Sequence, residues 1–72
     1  MSERINLLDV VALTVDMPDR GLVSGQVGTV VESLANDTFE VEFNDDSGHT
    51  YAQCAVPARH LLVLHYRPSQ VA

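Results

Sequence analysis

Seventy-two residues make one domain and leave no room for two lobes with a deep cleft between them. Ten carboxylates stand against four basic residues, giving a formal net charge of −6 that repels the phosphates of duplex nucleic acid. No apolar stretch approaches the roughly 20 residues that span a bilayer, and no basic amphipathic face marks a membrane surface. The single Cys54 cannot form an intrachain disulfide, and the start of the chain lacks the pattern of a secretory signal. A soluble chain in the reducing cytoplasm is expected. With two Phe, two Tyr and no Trp, the core must be built mostly of Val and Leu.

In chain order, Met1 to Asn6 is polar and reads as a short N-terminal arm. Val10 to Val15 is a β-branched run of one strand's length, with Val11, Leu13 and Val15 on a common face. Asp9, just before it, is placed to close the preceding turn. Asp16 to Leu22 carries Pro18 and Gly21 and reads as an exposed loop, of the kind in which small β-domains place binding residues. Gly25-Gln26-Val27-Gly28 then opens into a strand from Val27 to about Leu34. A glycine pair of this spacing predicts a tight bend and close backbone approach, and Gly28→Ala introduces backbone strain if φ is positive there.

Ala35-Asn36-Asp37 supplies the turn to the next strand. That strand, Thr38 to Phe43, alternates cleanly: Phe39, Val41 and Phe43 face the core, Glu40 and Glu42 face water. Asn44 to Gly48 is a second hairpin turn with Gly48 in the left-handed position. His49 to Ala55 reads as an edge or bent strand whose ladder Pro57 ends, and Ala58-Arg59-His60 fits one 3-10 turn. Leu61 to Tyr66 is apolar on both faces and reads as a last strand, followed by a tail from Arg67 to Ala72. The fold class is therefore all-β: one domain over residues 1–72, with its core from about 7 to 66.

The order of strand, long loop, Gly25-x-x-Gly28-x-Val30, two tight hairpins, 3-10 turn and final strand resembles a small five-stranded SH3-like barrel. The glycine bend resembles the KOW type of ribosomal and transcription-factor barrels. More closely, the chain resembles a family of short bacterial proteins of unknown function, in the segments Leu7 to Val11, Gly25 to Val31, Phe39 to Phe43 and Leu61 to Leu64. The resemblance implies the fold and assigns no activity to any residue. KOW-type modules surround the bend with Lys and Arg, whereas here neither occurs from Gly21 to Ala58, while Glu32, Asp37, Glu40, Glu42, Asp45 and Asp46 do.

No catalytic constellation is visible. Cys54 with His49, His60 or His65 is formally a Cys/His set, but Ala52, Ala55 and Val56 give the thiol the apolar setting of an inert core cysteine. The same residues lack zinc-site spacing, and Glu42, Asp45 and Asp46 read as a solvated turn. Gly25 to Gly28 opens into a strand, not a helix N-terminus, and is no phosphate loop. A non-enzymatic chain without metal or cofactor is expected.

What remains is a small acidic protein-interaction module, with a protein partner or a second copy as its ligand. Candidate contacts are Asp16, Asp19, Arg20, Glu40, Glu42, Asp45, Asp46 and Tyr66, with Leu61 to Tyr66 as a candidate homodimer strand. Two alternatives stand beside it. One is a KOW or Sm-like nucleic-acid binder, which requires Arg20, Arg59 and Arg67 to gather on one face, against the net charge. The other is an acidic nucleic-acid mimic acting as an antitoxin-like inhibitor of a basic protein.

Overall fold

The computed structural model describes residues 4–66 and residue 68. Strands β1 (Val10–Leu13), β2 (Val27–Leu34), β3 (Thr38–Asn44), β4 (Thr50–Pro57) and β5 (Leu61–Val63) form one sheet in the order β4-β3-β2-β1-β5. Every pairing is antiparallel. Two 3-10 turns, Pro18–Arg20 and Ala58–His60, complete the structure, the second just before the last strand as the sequence predicts. β4 and β5 are the two edges and no ladder joins them, so hydrogen bonds do not close the sheet into a barrel.

Among the described residues the sheet has no second layer and buries its core on one face. Val11, Leu13, Val30, Val41, Phe43, Cys54 and Val56 form that core, with Leu22 added from the β1–β2 connection. The expectation that Asp16 to Leu22 is an exposed loop is wrong for its last residue. An isolated bridge between Met17 and Leu22 turns the Leu22 side chain inward, where it is fully buried.

Two strands are shorter than their apolar runs. β1 stops at Leu13, so Val15 does not continue its face; Thr14 instead donates its N–H to the His60 carbonyl at 3.0 Å. β5 stops at Val63 and not at Tyr66, because its only neighbour is β1. Once the Leu64 N–H has reached the Val10 carbonyl at 2.9 Å, β1 has no further residue to offer. β4 instead runs longer, from Thr50 to Pro57, with Pro57 opposite Thr38 as an edge strand allows. The predicted tail, Pro68 apart, lies outside the described residues.

The two glycines of the bend do different work. Gly25 has φ +95° and turns the chain into β2, while Gly28 has no positive φ. Gly28 is needed for space: a Cβ there would lie 2.7 Å from Val41 Cγ1, 2.8 Å from the Glu42 carbonyl oxygen and 3.0 Å from Phe43 Cδ2. The residue pairs with Val11 on one side and Phe43 on the other, so β1 and β3 both close over the vacant position. One extra residue in β2, Val31 between Val30 and Glu32, and one in β4, Tyr51 between the partners of Phe43 and Asn44, bend the sheet further.

Phe43 is fully buried, whereas Phe39 is only half-buried at the rim of the core. Phe43→Ala should therefore cost about 3–5 kcal/mol and Phe39→Ala clearly less. Gly28→Ala should destabilise through the clash with the Glu42 carbonyl. Urea unfolding of the three variants tests this ranking; equal losses for the two phenylalanines would refute the depth assigned to Phe39.

Candidate functional site

The sequence-predicted contact residues fall in separate places, and several have structural duties. Asp16 accepts the Ser24 N–H at 2.8 Å and so ties together the two ends of the β1–β2 connection. Asp19 and Arg20 sit in the first 3-10 turn, both exposed. Asp45 organises the β3–β4 turn: one carboxylate oxygen accepts Ser47 Oγ–H at 2.7 Å and the Ser47 and His49 N–H groups at 2.9 Å. The Ser47 hydroxyl first, and then the His49 N–H, hold its carboxyl below the usual carboxylate range. Asp46 is exposed beside it, and Tyr66 is exposed beyond β5.

Glu40 and Glu42 are brought together with Glu32 on the outer face of the sheet. Register pairs Glu32 with Glu40, and Glu42 with Thr29 and Gln53. Gln53 Nε2 donates to Glu40 Oε2 at 3.1 Å. Like charges directly opposite each other weaken a ladder, so the Glu32–Glu40 pair does not serve sheet stability.

The other half of the same face is apolar. Val11 and Leu13 point into the core, so alternation turns Val10 and Ala12 outward, and Ala12 pairs with Val27 on one side and Leu62 on the other. The result is a stripe across three strands. Val27 is 43% exposed and Leu62 54%, while Ala12 between them is buried, with 9% left exposed. The sequence marks Leu61 to Tyr66 as apolar on both faces without saying which residues turn outward, and it does not signal Val27 and Ala12, because only the register makes them neighbours of Leu62.

A second feature lies at the open end of the inner face. An open groove of about 1050 Å³ runs between the arm, the β2–β3 turn, the second 3-10 turn and β5. Ile5, Phe39, Leu61 and Val63 contribute apolar lining and also pack against the core, and Leu62 of the outer stripe reaches its rim. Arg4 and Arg59 line it as well. The arm is therefore not loose over its described part: Asn6 donates its N–H to Asp9 Oδ2 at 2.8 Å, and Leu8 its N–H to the Val30 carbonyl at 2.7 Å. Asp9 closes this turn as the sequence predicts.

Among the described residues no three His, Cys, Asp or Glu gather in a way that could hold a metal ion. Cys54 is buried on the inner face, and burial pushes its thiol up, away from the thiolate that nucleophilic chemistry requires. No helix is long and apolar enough to cross a membrane.

The sequence pattern of one family, the domain of unknown function DUF4926, matches residues 7–63. The chain belongs to the DUF4926 family. Among curated proteins and among solved structures nothing matches significantly. The matched region of this DUF4926 domain runs from Leu7 through the end of β5, and so contains the outer face. It leaves out Arg4 and Ile5 at the groove.

Two expectations about this domain can be checked directly. Because the Asp45 carboxyl is held below its ordinary 3.8, its contribution to the turn is present above that pH and is lost as pH falls through the lower, folded-state value. Carboxyl titration by NMR should give Asp45 a midpoint below 3.8, and Ser47→Ala should raise it. Leu8 has φ +70° and is 75% exposed, so its backbone is strained while its side chain buries little. Asn tolerates this conformation, and Leu8→Asn should gain about 1 kcal/mol, seen as a melting temperature higher by roughly 4–8 °C. An unchanged or lower melting temperature would show that the exposed leucine stabilises the domain after all.

Proposed function

We propose that this DUF4926 domain is a cytoplasmic, non-catalytic protein-interaction module of open SH3-like architecture, which binds its partner on the outer face of the sheet. The observation that carries this reading is the division of that face into the Val27–Ala12–Leu62 stripe and the Glu32–Glu40–Glu42 carboxylates. Exposed apolar side chains beside unpaired like charges fit a partner that offers an apolar patch bordered by basic residues. Exposed, strained Leu8 and its neighbour Leu7 extend the apolar surface available at the start of β1.

A second copy fits this face less well, since two outer faces in contact would set one row of carboxylates against another. The candidate homodimer strand also offers less ladder than expected, because β5 ends at Val63. Direct nucleic-acid binding has little behind it. None of the five strands contains Lys or Arg; Arg59 lines the groove with Arg4, Arg20 stands in the first 3-10 turn, and Arg67 lies outside the described residues. The acidic-mimic variant, in which the carboxylate half occupies a basic cleft of the partner, is a special case of the same contact.

Light scattering on a sizing column, at low and at high salt, is the first test, and a monomer at low salt is expected. Affinity capture from the source cell then compares the wild type with Leu62→Asp and with Glu40→Lys/Glu42→Lys, each shown to be folded by circular dichroism. A basic partner should bind the wild type, be released by salt and be lost with either variant. A low-salt dimer abolished by Leu62→Asp, or the same captured proteins for all three forms, would overturn the proposal.

A further inference from the structure

We propose that the groove beside β5 is a second binding site, which takes an extended, apolar and carboxylate-bearing segment of a partner protein as a sixth strand of the sheet. Three observations support this, and none depends on the outer face. The first is the edge of β5 away from β1, which no strand covers among the described residues. The His60 carbonyl accepts the Thr14 N–H and the Leu64 N–H reaches the Val10 carbonyl, both along β1 and its end, so the even-numbered residues face β1 and alternation turns the N–H and C=O of Val63 away from it. Leu61 already gives its N–H to the Ala58 carbonyl. Val63 is therefore the residue that offers both a donor and an acceptor to an added strand.

The second observation is the floor. Ile5, Phe39, Leu61 and Val63 are each only partly buried where they pack on the core. An extended chain points every other side chain to one face, so a strand laid along β5 can set apolar groups against this floor and turn the intervening ones to the rim.

The third is charge. Two of the three arginines among the described residues, Arg4 and Arg59, line this one groove of a chain with net charge −6. Neither forms an ion pair among the described residues, although Asp37 lines the same groove. Arginine presents its donors as a planar fork that matches a carboxylate, so the rim selects an acidic segment. A second copy's free β4 edge does not supply one: Thr50 to Pro57 contains no Asp or Glu. A nucleic acid would have to meet the repulsion of the whole chain for the sake of two arginines.

The test is selection of a random displayed-peptide library on the immobilised full chain, followed by fluorescence anisotropy of the enriched peptides. Expected are sequences alternating apolar residues with Asp or Glu, an affinity reduced about tenfold by either Arg4→Glu or Arg59→Glu at unchanged melting temperature, and slowed hydrogen exchange at the Val63 amide on binding. Glu40→Lys, which alters only the outer face, should leave peptide affinity unchanged; this separates the failure of one site from the failure of the other. No enrichment, enrichment of basic peptides, binding indifferent to both arginine reversals, or displacement of the peptide by a polyuridine oligonucleotide would each overturn the proposal.

Discussion

The missing side chain at Gly28 is the constraint on which the rest of the structure depends. Gly28 sits in β2, the middle strand of five, and is paired on both sides. Val41 and Phe43 occupy the space a Cβ would need. Because they can lie over the β2 backbone, a single sheet, with no α-helix or second layer among the described residues, bends far enough to enclose a core. The core in turn places the functional surfaces. What faces inward is settled around Gly28, and the outer stripe and the groove are what that bend leaves over.

Much of this arrangement was legible in the sequence, for local reasons. The alternation from Phe39 to Phe43, the turn residues Asn36, Asp37 and Gly48, and the break at Pro57 each act within a few residues, and each is found where expected. Features that depend on distant partners were not legible. Leu22 looks like a loop residue until the bridge to Met17 turns it inward. The run Leu61 to Tyr66 looks like a full strand, but β1 is too short to pair with all of it. Of the two reasons the sequence offers for the glycine bend, left-handed geometry holds at Gly25 and close approach at Gly28, a division that only the register shows. The candidate site shows the same division: Glu40 and Glu42 were visible from their own alternation, while the stripe through Ala12 and the groove at Arg4 and Arg59 exist only once register and topology bring their residues together.

Charge on this domain is sorted and not merely plentiful. Carboxylates populate the outer face of β2 and β3 and the β3–β4 turn, and arginines populate the rim of the groove. The two surfaces are therefore opposite in electrostatic preference while sharing one small core. Under the two proposals above, the partners of the two surfaces would carry opposite charge.

β5 has a consequence of its own. It is three residues long, has one neighbour, and pairs with a strand about fifty residues earlier in the chain, as Val11 with Val63. The meander of β2, β3 and β4, joined by short turns, needs no such long closure and can form before it. β5 thus has the shortest ladder and the longest closure in the sheet, the features that set a segment at the low end of local stability. Leu62 of the outer stripe and Leu61 and Val63 of the groove all belong to it. Release of this one short segment would dismantle both surfaces at once, and under the two proposals a ligand held at either of them would clamp the segment in place for the other.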